Sequence, residues 1–329
     1  YHLADDVFLF SDHSKGVRIL EVDGRGEVKM DFECGGKGEN KIGSWLSGLG
    51  YVDSKTIGVL SEKGLFFFDR RGNLLRFIDD PEPETRREEL ELYVAGGEVD
   101  KKIITVHRSY EQANMVATIG TEPFFKNFKH FTVYDESEGS SFLAIGFDDF
   151  SFFEKNDDLF FSHISFVHTL FEDDLYLINS PDPTVFIYDV HNDFKLVQRI
   201  RLFPEHFQFQ DKKTAFIKGL YGSSSYTGIV TELPYTFITY RTGVPDDVMA
   251  GQAIDAELGM ELYNQYNRNY VMIYENGKKT GSDILLPERV YTLLASLGSD
   301  RFLAQANQGR VENADKEVYY ICRLREHSG

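Results

Sequence analysis

Two stretches of the sequence match without a gap at an offset of 168 residues: DDVFLFSDHSKGVRILEVDGRGEV (5–28) and DDLYLINSPDPTVFIYDVHNDFKL (173–196). Six of the 24 aligned positions are identical, and the alternation of apolar residues and the polar turns also coincide. Each copy reads as three short strands, the second of which ends in an acidic residue, Glu21 or Asp189. Short strands separated by turns at regular spacing are typical of an all-β sandwich, barrel or propeller.

Weaker copies of this pattern fill the rest of the chain and give six units of about 55 residues. They lie at 56–78, at 101–108 with 128–147, at 235–242 with 269–286, and at 301–307 with 317–324. Candidates for an additional inner strand lie at 44–52, 89–96, 163–170, 214–222 and 290–297.

Four strands per unit, repeated radially, define a propeller. The sequence therefore predicts an all-β fold, a six-bladed β-propeller with four-stranded antiparallel blades, as a single domain over residues 1–329. Seven blades are the nearer alternative and a linear β-solenoid is the other. How the first and last blades close is left open.

Two long interruptions, 108–127 and 243–268, fall between the second and third strands of their blades. The second contains apolar residues at helical spacing over 245–266, where Asp246 or Asp247 could cap a short helical insertion. In a propeller such loops emerge on the same face as the blade-to-blade connections, here 34–40 and 79–87. Long loops on a rigid scaffold commonly carry function, so we expect this face to bind a partner.

Aromatic and arginine side chains in and beside the two interruptions form the candidate binding surface. Tyr and Arg are enriched at the energetic centres of interfaces. The candidates are Arg108, Tyr110, Phe124, Phe125, Arg241, Tyr263, Tyr266 and Arg268. The alternative is that these side chains pack the loops onto the propeller.

The charge of the chain restricts its partners. The formal net charge is −18, which disfavours nucleic acid and anionic membrane surfaces because both attract clusters of Lys and Arg. No run of about 18 apolar residues is present, so no transmembrane helix is predicted. The chain starts at Tyr1 without a leader, from which we expect a trimmed or processed protein.

No motif predicts a catalytic residue, a metal site or a cofactor. The glycines at 35, 36 and 38 are not followed by the Lys-Ser/Thr of a phosphate-binding loop, so they are predicted to form a turn. His163 and His168 are five apart and point to opposite faces of a strand. The pairs Asp5–Asp6 and Asp173–Asp174 are predicted to form turns rather than a calcium site. GSSSY (222–226) is predicted to be a polar loop, and a disulfide between Cys34 and Cys322 stays open.

Three segments carry a resemblance to known proteins: LYLINSPDPTVFIYDVHNDFKLVQRI (175–200), ECGGKGEN (33–40) and NRNYVMIYENGKKTGSDILLP (267–287). They resemble six- to seven-bladed propeller proteins, TolB-like or NHL-like, that occur as lipoproteins in gut-type Gram-negative bacteria. The resemblance implies a secreted, lipid-anchored protein of the periplasm or cell surface, and it implies no catalytic residue.

Two functions are compatible with the sequence. The first is a non-catalytic binding or scaffold module of the cell envelope, a monomer that recognises a protein or a glycan through the loop-rich face. The alternative is a propeller enzyme of the calcium-dependent lactonase or lyase type, whose acidic, Asn and His ligands would surround a central channel.

Overall fold

The computed structural model describes residues 7–13, 16–38, 40–61, 63–79, 90–95, 102–106, 128–135, 140–147, 152, 165–210, 216–251, 253–298, 300–311 and 318–324. The chain forms two compact units, Tyr1–Asp148 and Asp149–Gly329. Antiparallel β-sheets dominate both units, as the sequence predicts. The assignment of residues 1–329 to a single domain stays a prediction. No helix in the described ranges is long and apolar enough to cross a membrane.

The first unit contains a three-stranded sheet and an eight-stranded sheet. Strands β1 (Val7–Asp12), β2 (Arg18–Asp23) and β3 (Val28–Glu33) form the small sheet. The large sheet consists of two four-stranded meanders. One comprises β4 (Leu46–Tyr51), β5 (Thr56–Ser61), β6 (Gly64–Asp69) and β7 (Leu74–Asp79), and the other β8 (Leu90–Ala95), β9 (Lys102–Val106), β10 (Phe131–Asp135) and β11 (Ser140–Ala144). The first strands of the two meanders, β4 and β8, pair in parallel.

The second unit contains three sheets. The first is a four-stranded meander of β12 (Ser165–Phe171), β13 (Asp174–Ser180), β14 (Thr184–Asp189) and β15 (Lys195–Arg201). The second comprises β16 (Ser225–Glu232), β17 (Tyr235–Arg241), β18 (Asn269–Glu275), β19 (Lys278–Lys279) and β20 (Ile284–Leu285), and the third β21 (Val290–Ser296), β22 (Arg301–Ala306) and β23 (Tyr319–Arg323). Helices α1 (Phe216–Gly222), α2 (Asp246–Met249) and α3 (Ala256–Tyr266) belong to this unit, as does a short 3₁₀ helix, Gln308–Arg310.

The β16–β18 sheet shows why these strands are so apolar. Its side chains alternate between two faces, and both faces are buried. One face presents Ile229, Ile238 and Met272 to the β13–β14 hairpin. The other face presents Val230, Phe237 and Val271 to β21 and β22. A sheet covered on both sides favours near-continuous apolar strands over a simple apolar–polar alternation.

Three of the turns that lead to outer strands have the same stabilising residue, an aspartate at the end of the preceding strand. Oδ1 of Asp23 accepts hydrogen bonds from two backbone amides in its turn, both 2.9 Å long. Asp69 does the same at 2.8 and 2.9 Å, and Asp189 at 2.9 and 3.1 Å. The gap-free alignment pairs Asp189 with Glu21, and this pairing is wrong for the turn. Asp23 is the residue that accepts the turn amides in the first copy, as Asp189 does in the second. The β1–β2 connection spans five residues against three in β13–β14, which breaks the constant offset.

Glu21 has a different role. Its side chain is 2% exposed and binds Arg70 as an ion pair. The Tyr51 hydroxyl donates a 2.9 Å hydrogen bond to its other carboxylate oxygen. Glu21 therefore links the small sheet of the first unit to the meander beside it.

Four of the five predicted inner strands are confirmed as β4, β8, β12 and β21. The fifth, 214–222, is wrong, because this stretch contains α1 and the strand follows it as β16. Ile217 and Tyr221 are four residues apart and both lie against Gly259 of α3, a spacing that fits a helix. Of the predicted polar loop GSSSY, only 223 and 224 lie between elements, since 225 and 226 begin β16.

Candidate functional site

The long insertion of the second unit and the connection before β16 fold together. We call α1, α2 and α3 with their joining residues (216–222 and 243–266) the helical cap. Its backbone segments touch directly: a Cβ on Gly243 would lie 1.9 Å from the carbonyl oxygen of Gly222. The Val244 amide donates a 2.8 Å hydrogen bond to the carbonyl of Tyr221. The insertion and the connection before β16 therefore lie together within this unit. The predicted convergence of 108–127, 34–40 and 79–87 on the same face stays a prediction.

The helix predicted over 245–266 is two helices, and its cap lies elsewhere. Residue Pro245 precedes α2 and provides no side-chain cap, so the expectation for Asp246 and Asp247 is wrong. They lie in the first turn of α2. Asp255 is the cap of α3, because its carboxylate accepts a 2.9 Å hydrogen bond from the Leu258 amide.

Two arginines hold the carboxyl end of α3. Arg268 donates through Nη1 to the carbonyls of Gln265 (2.9 Å) and Asn267 (2.7 Å). Arg310 donates through Nη2 to the carbonyls of Asn264 and Gln265, the latter at 3.2 Å. Cations stabilise this end of a helix because its last carbonyls lack intrahelical partners. The guanidinium of Arg268, a predicted binding residue, is thus directed at the helix.

Arg241, another predicted binding residue, ends β17 where the insertion begins. Its Nε donates a 2.8 Å hydrogen bond to Oγ of Ser225 at the start of β16. Its guanidinium carbon lies 5.2 Å from the ring centre of Tyr263 and 5.9 Å from that of Tyr291. Such contacts with ring faces attract a cation. The structure therefore brings Arg241 and Tyr263 together and adds Ser225 and Tyr291, which the sequence analysis did not single out.

The tyrosines of the cap differ in environment. Burial raises the pKa of Tyr263 to about 12, against the opposing effect of the Arg241 cation. The ring of Tyr263 also lies 5.9 Å from that of Tyr221. Tyr266, in the last turn of α3, is half-buried. The remaining candidates, Arg108, Tyr110, Phe124 and Phe125, lie outside the described residues.

The segment before the cap, 202–210, lies across the β16–β18 sheet and is held by polar side chains. The Phe203 amide donates to the Tyr274 hydroxyl at 2.9 Å, and the His206 amide to the Tyr240 hydroxyl at 3.2 Å. The ring of His206 stacks on Tyr270 with 4.4 Å between ring centres. Phe203 itself is 63% exposed. This strap is thus fixed to the sheet by two tyrosine hydroxyls and one ring contact.

The structure shows the surroundings of several motifs to which the sequence assigns no chemistry. Gly36 and Gly38 have φ of +112° and +137°, as a glycine turn requires. Asp173 lies 3.0 Å from His191, and burial followed by neighbouring carboxylates raises the pKa of Asp174. His168 is half-buried in β12, whereas His163, Asp5 and Asp6 lie outside the described residues. Within the described ranges, no group of three or more His, Cys, Asp or Glu side chains is arranged to hold a metal.

The two cysteines are free, so no disulfide joins them. Burial raises the pKa of the Cys34 thiol to about 11. Burial also raises the pKa of the Cys322 thiol. Neither environment favours the thiolate, the form that reacts.

No protein-family model and no curated protein matches this chain. Among solved structures, a candidate exported protein of Bacteroides fragilis NCTC 9343 is 11% identical over 94% of this chain and 78% of its own, with a TM-score of 0.54. The calcium-binding protein regucalcin of Agrobacterium tumefaciens is 12% identical over 95% and 83%, with a TM-score of 0.46. The β-propeller domain of Myceliophteria thermophila Cps50 (Swd1) is 10% identical over 99% and 96%, with a TM-score of 0.45.

The similarity to the Bacteroides fragilis protein concerns the fold alone. The four-stranded antiparallel meanders are those expected of propeller blades. The class is therefore an all-β protein built from meanders that resemble propeller blades.

Proposed function

We propose that this protein is a non-catalytic binding or scaffold module of the cell envelope, built as a single six-bladed β-propeller. It acts as a monomer in the periplasm or at the cell surface. It recognises a protein or a glycan through the face that carries the helical cap.

The observation that supports this proposal is an ordered insertion that the sheet does not require. Two residues connect β5 to β6 and three connect β13 to β14, whereas 27 residues connect β17 to β18. Those residues form α2 and α3, and Gly243 and Gly259 of this insertion lie against residues of α1. A loop ordered at such length on a rigid scaffold is typical of a recognition element.

The outer surface of α3 offers the contacts to test. Met260 is 49% exposed. Glu257 and Glu261, which lie on either side of it along the helix, are exposed as well. An exposed methionine between carboxylates provides adaptable apolar contact with a polar surround.

The experiment compares three immobilised proteins in affinity capture from an envelope extract and on a glycan array. The first is the wild type and the second carries Glu257→Lys, Met260→Asp and Glu261→Lys. The matched control carries Lys195→Glu and Val197→Asp on β15, where both side chains are exposed.

We expect the cap variant to lose the captured partner and the β15 variant to retain it. Equal capture by all three proteins would contradict the proposal. Hydrolysis of a lactone panel by the wild type, with no capture, would favour the enzyme alternative instead.

A further inference from the structure

The environment of Arg241 indicates the chemistry of a ligand, an inference that rests on the proposed function. Oγ of Ser225 accepts a hydrogen bond from Nε of this arginine, and the guanidinium lies over the rings of Tyr263 and Tyr291. Among the described residues, no carboxylate lies within ion-pair distance of its guanidinium. The two terminal amino groups, Nη1 and Nη2, are also not among the buried polar atoms without a partner, so they reach solvent.

The chain has 53 acidic and 35 basic residues, and Arg241 is one of several described arginines that form no ion pair with a carboxylate. The neighbouring arginines differ from it. Arg268 lies 3.8 Å and Arg310 4.0 Å from the carboxylate of Glu288, and both donate to α3 carbonyls. Arg241 is thus held in place with its terminal donors unused. The planar fork of a guanidinium matches a carboxylate, to which it donates two parallel hydrogen bonds.

A series of contacts connects Arg241 to α3, to the 3₁₀ helix and to the start of β21, and we call the residues that make these contacts the rim. Arg241 contacts Tyr263 of α3, whose neighbour Asn264 accepts from Arg310. The Asn307 amide next to Arg310 donates a 2.8 Å hydrogen bond to the carbonyl of Arg289, two residues before Tyr291. Tyr291 contacts Arg241 again. Contacts thus connect β17, β21, α3 and the 3₁₀ helix, and Tyr263 and Tyr291 are the aromatic residues that contact the cation.

This rim is rich in neutral amides. Asn264 and Asn307 both lie beside Gly309, with side-chain oxygens 3.3 and 3.7 Å from where a Cβ would be. Gln265 and Gln308 are exposed next to them. Amide groups donate and accept at once, which suits the hydroxyl groups of a sugar. A multiply charged phosphate would meet stronger repulsion from this acidic chain than a single carboxylate would.

We propose that Arg241 binds the carboxylate of an acidic sugar, a uronic acid unit of a glycan, while the amide rim contacts its hydroxyls. The ligand of the loop-rich face is then a carboxylated glycan. A peptide with acidic side chains presents the carboxylate without the hydroxyls and is the competing outcome of the test.

The test is calorimetric titration with trimers of galacturonate and glucuronate, with their uncharged methyl esters, and with a pentaglutamate peptide. We expect the wild type to bind an acidic trimer and to bind its ester at least about tenfold more weakly, since charge-assisted hydrogen bonds are lost. Arg241→Gln should weaken binding of the acid by a similar factor, and Arg241→Lys by less. The matched control is Arg199→Gln, because Arg199 is exposed and also lies over a ring, that of Phe186, at 5.8 Å.

Acid and ester are compared on the wild type, so the result does not depend on a variant that folds poorly. Circular dichroism of Arg241→Gln checks its fold. Failure of every acidic trimer to bind, equal binding of acid and ester, or unchanged binding by a folded Arg241→Gln protein would overturn the proposal. So would preference for pentaglutamate. Each of these results leaves the capture experiment on the α3 surface untouched, so the two proposals fail separately.

Discussion

Nζ of Lys279 lies 2.6 Å from Oδ1 of Asp283, whose side chain has no exposed surface. The other carboxylate oxygen, Oδ2, accepts hydrogen bonds from the Tyr240 hydroxyl and, at 2.7 Å, from the Glu205 amide. Lys279 also donates to the carbonyl of Phe203 at 2.9 Å. One buried ion pair thus fixes the strap before the helical cap to the sheet beneath it.

Lys279→Met should destabilise the second unit, because it leaves the buried Asp283 carboxylate without its cation. Removing one partner of a buried pair costs about 3 kcal/mol. Urea unfolding measures the change in free energy. Lys278→Met is the matched control, since Lys278 is exposed and should be nearly neutral. Equal stability of the two variants would show that the pair contributes nothing.

Gly243→Ala should loosen the helical cap, because the new methyl group would overlap the Gly222 carbonyl. Overpacked sites lose about 1–3 kcal/mol. Hydrogen exchange of the α3 amides reports this loss locally. Gly309→Ala serves for comparison, because the nearest atom there is a side-chain oxygen of Asn264 at 3.3 Å, which can move. Unchanged protection in Gly243→Ala would contradict the close backbone contact.

Alkaline pH should weaken the fold through Tyr263. Burial raises its pKa to about 12, whereas an unfolded tyrosine has a pKa of about 10. Because the pKa is higher in the folded state, the neutral Tyr263 contributes fully to the free energy of unfolding below pH 10, and this contribution is lost as pH rises towards 12. Between pH 9 and 11 the wild type should lose roughly 1 kcal/mol more than Tyr263→Phe in urea unfolding. Parallel losses in both proteins would rule out this residue as the source.

The aspartate turns should depend on one carboxylate each. Asp69→Ala removes the acceptor for the Arg71 and Asn73 amides and should lower the melting temperature by about 2–4 °C. Asp69→Asn keeps an acceptor oxygen and should lower it less. Because the side-chain hydrogen bond from Asn73 lowers the pKa of Asp69, the stabilisation is present at neutral pH and is lost as pH falls. A deficit that persists unchanged at low pH would point to another cause.

Arg268→Gln separates helix capping from ligand binding. Loss of its hydrogen bonds to Gln265 and Asn267 should raise hydrogen exchange in the last turn of α3 several-fold, with little change in global stability. Calorimetry on the same variant with an acidic trimer should give nearly the wild-type affinity. A loss of affinity as large as that of Arg241→Gln would assign Arg268 to the site.

Most strands are predictable because the alternation of apolar residues is a local pattern. The internal repeat also shows the same pattern a second time, which supports the assignment. The strand prediction fails over 214–222. The apolar pattern of these nine residues is compatible with either a strand or a helix, and the packing against Gly259 of α3 favours the helix. At the site, Arg241 and Tyr263 were predictable because both belong to the insertion or its edge. Ser225 and Tyr291 come from two other strands, so no pattern of neighbouring residues marks them.

The aspartate turns have a consequence for how this chain can change. Each carboxylate satisfies the amides of its own turn, and the residues that follow it differ: Gly24-Arg25-Gly26, Arg70-Arg71-Gly72 and Val190-His191-Asn192. The exposed residues of these turns, such as Arg25, Arg71 and His191, can therefore be changed while the aspartate keeps the hairpin closed, whereas Arg70 is tied to Glu21. These turns are therefore natural places to graft a peptide tag or a second recognition loop.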